Sequence, residues 1–524
     1  MSIEIENALP SAQLTPGVDA PPAAIAPEPP RRRGLRGVGR DALVYGLGTI
    51  LRRAATLILL PLYTRLLTPA DYGLLQMLDM TLEVVSIVIS AGTTAGVMRF
   101  YYKTDDAERR RSVLGSACVL LLGLNAIGAL LIASFAGVIH AQVLDGAGAR
   151  YFIYIAAANF VLNELPTLPS IYMQLEGRAA MFSMASLARL LIQLSLNVFF
   201  LLVLRLGPVG VLLSTMIANV AVGSVTLGWM IRRIGFAVRR EQLKELRIFA
   251  IPYQLSTVAT FMLQYGDRFF LARHGGLAVV GLYGFAYQFG FLFDQIGTSP
   301  IMRAWEPRRF ASAREPLAVR EREDNASFLT LSLVGVTIAL GMALFIRPVL
   351  AIVASPAYGG AADLVPLVVA AFLVQAWTGV VHFGIDAAEC PRLGTVAMWV
   401  SAATALALYA LLIPRWGAYG AAIATLVSFL VRFALMYRFA ARVWPLHYRW
   451  GAHLRLAAYA LVLILVARTF AGASWLVQSA AGTSLFGVYA LLAWTTVLTE
   501  AHVAFVKRHA RGLVRRVGLV GARA

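Results

Sequence analysis

Three of the arginines inside the long apolar runs of this sequence lie near mid-depth, where a permanent charge is costly and usually has a function. Arg52 and Arg53 fall about ten residues into the first run, and Arg189 falls at a similar depth in another. That distance corresponds to about 15 Å of helix, close to the middle of a bilayer. Thr49, Arg52 and Thr56 share a helical face. A guanidinium group can donate two hydrogen bonds to phosphate oxygens, so an anion site is one interpretation; snorkelling or pairing with an acidic neighbour is the other.

A stripe of polar residues follows one face of the second run. Gln76, Asp79 and Glu83 are spaced i, i+3 and i+7, and Glu83 lies near mid-depth. Charge balance for the arginines of the first run is one interpretation of this stripe. A protonatable or cation-coupling site is the other.

Polar residues and prolines interrupt the fourth run. They are Asn159, Asn163, Glu164, Pro166 and Pro169. Proline frees backbone carbonyls, which are tolerated at membrane depth only where they are buried in protein or line water. We therefore expect a hinge or a cavity wall here, and Glu164 is a further candidate for ion coupling or charge balance.

Two more groups of charged residues lie late in the seventh run and within the eighth. Asp294 shares a helical face with Tyr287 and Phe291, which would suit sugar binding, with helix packing as the alternative. Asp267 and Arg268 lie more than about twenty residues from the start of their run, which is enough to cross the hydrocarbon. We therefore expect an interfacial anchor near the outer surface.

These residues are positioned by fourteen apolar runs of helix length. Apolar residues make up 59% of the 524 residues and charged residues 14%, with a mean hydropathy of +0.72. A soluble domain is nearer about 25% charged. Fourteen spans with short loops use nearly the whole chain, so no extramembrane catalytic domain is expected. The runs are centred near residues 54, 86, 126, 162, 192, 220, 260, 292, 335, 376, 404, 430, 462 and 494.

The basic residues alternate between the gaps that separate these runs. The two tails and every second loop hold 34 of the 46 Lys and Arg residues, and the other loops hold one each. Because loops rich in Lys and Arg stay cytoplasmic, both termini are predicted to face the cytoplasm, in a cytoplasmic (inner) membrane. The net charge of +19 then indicates contact with anionic lipids, and no nucleic-acid partner is expected.

Neither a metal site nor a cofactor is predicted. Cys118 and Cys390 are too few and too far apart for a ligand set or a disulfide framework, and the seven histidines are scattered singly.

An internal repeat relates spans one to six to spans seven to twelve. Arg65 and Gly73 align with Arg273 and Gly281 at an offset of 208, and a second match near Arg205 has an offset of 210. The offset covers an even number of spans, so the two six-helix lobes would be related by a pseudo-twofold axis along the membrane normal. That architecture is typical of transporters with a substrate site between the halves.

The predicted fold is an all-α membrane protein with 14 transmembrane helices, two lobes and two C-terminal helices. The predicted segments are a disordered Pro/Arg-rich cytoplasmic tail (1–40), an N-lobe (41–233), an amphipathic cytoplasmic linker (234–247), a C-lobe (248–443), spans thirteen and fourteen (444–506) and a basic cytoplasmic tail (507–524).

Two stretches resemble the Wzx-type polysaccharide flippases. The stretch from Asp267 to Tyr283 is similar to the signature of spans seven and eight in that family, and the stretch from Leu59 to Gly73 is similar to the end of span one. The motif residues are Arg65, Gly73, Asp267, Arg268, Arg273, Gly281 and Tyr283. The resemblance covers spans one to twelve and implies the alternating-access fold shared with MATE transporters and the lipid II flippase MurJ.

The resemblance also implies a substrate, a polyprenyl pyrophosphate that carries a short glycan. In that case Arg52, Arg53 and Arg189 would hold the pyrophosphate, and Tyr287 with Asp294 would face the sugars. Glycan polymerase and chain-length machinery would be partners. A MATE-type drug antiporter is the main alternative, and it would need an acidic cavity. A membrane glycan polymerase or ligase would need a larger loop outside the membrane than this sequence has.

Overall fold

The computed structural model describes residues 60–497, apart from residues 145, 147, 236 and 314 and the side chain of Ser256. Within these residues the chain forms only helices, turns and loops. The first half contains α1 (Pro69–Ile89), α2 (Thr93–Tyr102), α3 (Ala107–Ser134), α4 (Ala136–Gln142), α5 (Tyr151–Leu162), α6 (Glu164–Leu175), α7 (Ala179–Val198, then a π-helical turn, Phe199–Val203) and α8 (Pro208–Ile234). Residues 60–66, before α1, are also helical.

The second half continues with longer helices. They are α9 (Arg240–Tyr265), α10 (Asp267–Phe293, then a π-helical turn, Asp294–Thr298), α11 (Ser299–Ser312), α12 (Leu317–Val353), a 3-10 helix (Pro356–Asp363), α13 (Val365–Ala387), α14 (Pro391–Val443), α15 (Trp450–Arg468) and α16 (Trp475–Thr496).

The chain is a multi-pass membrane protein, as its sequence predicts. Ten helical segments of the described part are long and apolar enough to cross a membrane. Most of the first run, including Arg52 and Arg53, lies outside the described residues. The count of fourteen spans therefore stays a prediction.

Two of the ten segments contain helices that fold back at a glycine. Gly276 in α10 and Gly417 in α14 have φ values of 74° and 52°, which are non-helical. Tyr283 donates a hydrogen bond to Asp267 although sixteen residues separate them, which is about 24 Å along a straight helix. Tyr409 and Thr425 are also sixteen residues apart, on either side of Gly417, and their hydroxyl oxygens lie 3.1 Å from each other. The chain therefore reverses at both glycines.

The start of α1 follows from the local sequence Thr-Pro-Ala-Asp. The Thr68 hydroxyl accepts a hydrogen bond from the Asp71 backbone N–H at 3.1 Å, and the Asp71 carboxylate accepts one from the Thr68 backbone N–H at 3.0 Å. Pro69 occupies the first helical position, where no backbone donor is needed. This reciprocal capping fixes where α1 enters the membrane.

The two lobes make their closest approach where α1 crosses α10. A Cβ atom on Gly73 would lie 1.9 Å from the Leu277 carbonyl oxygen, and one on Gly281 would lie 1.9 Å from that of Pro69. Gly281 follows Gly73 by 208 residues, and Leu277 follows Pro69 by the same number. Contacts between equivalent positions are the arrangement expected of two copies related by a twofold axis. Only glycine permits an approach this close.

The helix α9 connects the lobes without a break. Arg247 donates to the Ile89 carbonyl at 2.6 Å in the N-lobe, whereas the carbonyl of Leu263 accepts from Tyr409 at 3.1 Å in the C-lobe. The predicted linker, 234–247, thus becomes the first turns of this helix from Arg240 onward. Pro252, inside α9, removes one backbone hydrogen bond between these two attachments.

A buried ion pair and an aromatic cluster join the C-terminal helices to the C-lobe. Arg309 donates from Nε and Nη2 to the two carboxylate oxygens of Asp324, each at 3.0 Å, which ties α11 to α12. On the same helix α12, Phe328 stacks on His453 of α15 with ring centroids 4.1 Å apart. Both α15 and α16 pack against α12.

Candidate functional site

A polar chamber of about 590 Å³ lies within the N-lobe. Its volume is in the range of ligand-binding pockets, about 300–1,000 Å³. Its walls come from residues 60–63, α1, α5, the start of α6, α7 and α8. Among the described lining residues only Gln288 belongs to the C-lobe, so the described walls come almost entirely from one lobe and not equally from the two.

The polar stripe on α1 faces this chamber. Gln76, Asp79 and Glu83 all line it, as their i, i+3 and i+7 spacing predicted for one helical face. Tyr72, one turn before Gln76, is another wall residue, and its hydroxyl accepts a hydrogen bond from Gln288 at 3.3 Å. One wall of the chamber is therefore polar along three turns of helix.

The interruption of the fourth run forms the facing wall. The helix α5 ends at Leu162 and α6 begins at Glu164, and both Asn163 and Glu164 line the chamber. The Thr167 hydroxyl donates to the Asn163 carbonyl at 2.7 Å, which satisfies a backbone group near the break. The expectation of a cavity wall at these residues is confirmed.

Two buried amides complete the chamber. Asn159 donates to the Leu212 carbonyl at 3.0 Å, but its Oδ1 atom has no hydrogen-bond partner among the described residues. Asn219 of α8 is 0% exposed, and in the described part of the chain neither its Nδ2 nor its Oδ1 atom has a partner. Buried amides without a partner are unusual, because burial without a hydrogen bond is costly.

A second cavity, of about 430 Å³, adjoins the chamber and holds Arg189. Leu190 and Gln193 of α7 line both cavities, so the two share a wall. Arg189 donates from Nη2 to the Oδ1 atom of Asn163 at 3.0 Å. The other polar lining residues of this cavity carry hydroxyl or amide groups, namely Thr94, Thr167, Ser170, Gln174, Ser186 and Thr226.

Charge is thus sorted between the two cavities. Asp79, Glu83 and Glu164 line the chamber, and no Lys or Arg does so among its described wall residues. Arg189 lines the second cavity, which has no acidic lining residue in the described part. Arg52 and Arg53 lie outside the described residues. Among the described residues, Arg189 is therefore the predicted arginine that lines a cavity, and this cavity adjoins the acidic walls of the chamber.

The expected sugar-facing surface on α10 is not formed. Tyr287 is 2% exposed, and its ring lies 4.1 Å from the Arg268 guanidinium carbon. Asp294 accepts hydrogen bonds from the hydroxyls of Thr298 at 2.6 Å, in its own π-helical turn, and of Ser299 at 2.9 Å, at the start of α11. A sugar cannot reach the Tyr287 ring in this conformation, so its predicted role is not supported.

The prediction that Asp267 and Arg268 form an interfacial anchor is wrong. Asp267 is 0% and Arg268 is 1% exposed, and they are joined by a hydrogen bond of 2.7 Å. The carboxylate also accepts from Tyr283 and, at 3.4 Å, from Thr425. The reversals at Gly276 and Gly417 pack the two halves of α10 and of α14 around the pair. The depth of a residue along a single apolar run does not predict such packing. The family motif here has a structural function.

The motif residues Arg65 and Arg273 lie near the ends of their helices. Arg65 donates to the Ile352 carbonyl at 3.1 Å, and Arg273 is exposed. Nearby, the Tyr358 hydroxyl donates to the Leu67 carbonyl at 3.2 Å. These contacts join the end of the first run to the end of α12 and to the 3-10 helix, close in sequence to the glycine crossing at Gly73.

Residues 38–313, more than half of the chain, match the family described as "Polysaccharide biosynthesis protein". The chain belongs to this family. No curated protein sequence matches this chain significantly.

Solved transporter structures share the fold of this polysaccharide biosynthesis protein. The lipid II flippase MurJ in an inward closed conformation has a TM-score of 0.69 at 10% identity, covering 86% of this chain and 98% of that one. An inward-facing multidrug resistance MATE transporter of the MOP superfamily has a TM-score of 0.56 at 14% identity, with 79% and 94% covered. A Vibrio cholerae MATE transporter has 0.51 at 17% identity, with 78% and 97% covered. At these identities the similarity shows the fold alone.

Sequence reasoning missed Asn219 and Gln288 as wall residues. A lone amide in an apolar run was the available signal for Asn219, which lies among Met216, Ile217, Ala218 and Val220. Nothing in the sequence set it apart from Asn125 or Asn197, which lie in other runs.

Proposed function

We propose that this protein is a flippase for polyprenyl-pyrophosphate-linked oligosaccharide. It moves the lipid from the cytoplasmic to the outer leaflet of the inner membrane, with both termini in the cytoplasm, for surface polysaccharide such as O-antigen or exopolysaccharide. Membership in a polysaccharide biosynthesis family and a fold similar to that of a lipid II flippase support this function. A glycan polymerase and chain-length machinery would use the product.

The observation that carries the proposal is the pair of adjoining cavities in the N-lobe. A lipid-linked oligosaccharide has an anionic diphosphate next to a neutral, hydroxyl-rich glycan, so its site needs two neighbouring chemistries. The second cavity offers Arg189 and several hydroxyls for phosphate oxygens. The chamber offers carboxylates and amides for sugar hydroxyls. The two cavities meet at Gln193 and Leu190.

Alternating access would act on these cavities by separating the lobes on one side at a time. The glycine crossing and the Tyr358 hydrogen bond close the side that we assign to the outer surface. Opening that side requires Gly73 and Gly281 to part. Helix α9, attached to both lobes, would transmit the movement.

Replacing Arg189 with Ala in cells that lack the native gene should strongly reduce surface polysaccharide. The loss of one charge-assisted contact to phosphate is worth about 1.5–3 kcal/mol, or about tenfold to a hundredfold in binding. Arg189→Lys should retain part of the function, since a point charge remains. The measurement is surface glycan per unit of membrane-inserted protein.

The matched control for Arg189→Ala is Arg322→Ala, at an exposed position near the start of α12. It should leave surface glycan unchanged. Normal glycan in Arg189→Ala cells, at normal protein level, would remove Arg189 from the mechanism.

The acidic walls favour one second candidate, a transporter of organic cations. Carboxylates in a chamber attract cationic compounds, as a MATE-type antiporter requires. The two functions differ in what Arg189 does, because an arginine beside the chamber would oppose cation entry. Efflux of a fluorescent organic cation from vesicles distinguishes them.

A further inference from the structure

The chamber carries the chemistry that binds uncharged sugars. Sugar hydroxyls both donate and accept hydrogen bonds, so carboxylates and side-chain amides are suitable partners. The wall contains Asp79, Glu83 and Glu164 together with amides from Gln76, Asn163 and Gln193. Tyr63 and Tyr72 add aromatic rings.

Asn219 supplies an independent indication of a ligand. Asn219 lines the chamber, and its donor and its acceptor are both buried without a partner in the described chain. The amide of Asn159 differs, because its Nδ2 atom already donates to the Leu212 carbonyl and only its Oδ1 atom lacks a partner among the described residues. One amide with a vacant donor and a vacant acceptor matches two neighbouring hydroxyls of a sugar ring. A polar ligand would remove the cost of burying it.

We infer that the chamber is the glycan subsite and that its carboxylates select glycans without acidic sugars. This inference rests on the proposed flippase function, and it adds a class of substrate to it. Uronic acids and other carboxylate-bearing sugars would meet Asp79, Glu83 and Glu164 at close range. Like charges that approach one another in a partly desolvated site cost several kcal/mol, which discriminates between partners.

The second cavity explains why an anionic lipid can use an acidic chamber. The diphosphate would remain with Arg189 in the second cavity, which shares the wall residues Gln193 and Leu190 with the chamber. Only the glycan then faces the three carboxylates. If a basic residue of the first run also binds the diphosphate, the phosphate charge neutralises that residue. The sugars would then still face acidic walls.

Flipping of two lipid probes by the purified full-length protein in liposomes tests the inference. Both probes are short polyprenyl diphosphates with the same labelled disaccharide, and the terminal sugar is a hexose in one and the corresponding uronic acid in the other. A membrane-impermeant reductant that bleaches the label reports which leaflet holds it. The hexose probe should cross at least about tenfold faster than the uronic acid probe.

The results separate the two proposals. Equal rates for both probes would overturn the charge selection and leave the flippase function intact. A faster uronic acid probe would also overturn it. Failure of both probes to cross would instead contradict the proposed flippase function.

Neutral isosteres of the carboxylates test the assigned residues. Asp79→Asn, Glu83→Gln and Glu164→Gln combined should raise the rate of the uronic acid probe by about fivefold or more and change the hexose rate less. Glu323→Gln, the same change at an exposed residue of α12, is the matched control and should alter neither rate. An unchanged ratio of the two rates in the triple variant would show that these carboxylates do not select the glycan.

The role of Asn219 is tested by the probe concentration that gives the half-maximal flipping rate, in addition to the rate itself. Asn219→Leu keeps the volume and removes both hydrogen-bonding groups, so the concentration of hexose probe at half-maximal rate should rise about fivefold to tenfold. Asn219→Ser, which retains a donor and an acceptor, should recover part of the loss. A normal half-saturation concentration in Asn219→Leu would remove this residue from the subsite.

Discussion

At the scale of residues, the buried pair of Asp267 and Arg268 shows how a family motif can be structural. The guanidinium lies within 5.5 Å of the ring centroids of Tyr265, Tyr283 and Tyr287 and bonds to the carboxylate. Such an arrangement compensates the desolvation of both charges. The pair therefore stabilises the C-lobe only while both partners are present.

Replacing Asp267 with Asn should destabilise the protein strongly. It would leave a buried guanidinium without a counter-charge, which costs about 3–5 kcal/mol. Thermal unfolding of the detergent-solubilised protein measures the effect. Asp105→Asn is the matched control, because Asp105 is 93% exposed in its ion pair with Arg110 and should change stability by less than about 1 kcal/mol. Equal melting temperatures for both variants would contradict this account.

At the scale of elements, the α1–α10 crossing sets how closely the lobes approach on one side. Gly73 lies against backbone atoms of Leu277 and not against a flexible side chain, so a methyl group has no room. The crossing lies at the capped start of α1 and just after the reversal at Gly276 in α10. Separation of these helix ends is therefore the simplest movement that would open this side.

Replacing Gly73 with Ala should shift the protein toward a conformation in which this side is open. Leu67→Cys, in a background with Cys118→Ser and Cys390→Ser, reports accessibility, since Leu67 is 3% exposed. An impermeant thiol reagent applied outside should label it several times faster in the Gly73→Ala protein. Gly123→Ala is the matched control, because a Cβ there meets nothing within 4 Å. Equal labelling in both proteins would show that the crossing is not the closure.

The sequence predicted elements better than it predicted their orientation. Apolar runs placed the helices, the i, i+3, i+7 spacing placed Gln76, Asp79 and Glu83 on one face, and prolines located the break before Glu164. Periodicity within one helix carries this information. Which partner each face meets depends on tertiary packing, so neither the burial of Arg268 nor the inward position of Asn219 could be predicted.

At the scale of the whole molecule, the candidate site lies in only one of the two lobes that the structure describes. The internal repeat predicted a substrate site between the halves, but Gln288 is the one C-lobe residue among the described walls of the chamber. The C-lobe instead buries its charged residues in ion pairs such as Asp267 with Arg268 and Arg309 with Asp324. We infer that the N-lobe binds the head group and that the C-lobe moves against it.

The central claim is that adjoining acidic and basic cavities serve a lipid-linked glycan and not an organic cation. The most direct measurement compares both substrates in the same liposomes that contain the purified protein. We predict movement of a hexose-terminated polyprenyl diphosphate that is lost in Arg189→Ala, and no protein-dependent efflux of a fluorescent organic cation. Efflux of the cation without movement of the lipid would contradict the account.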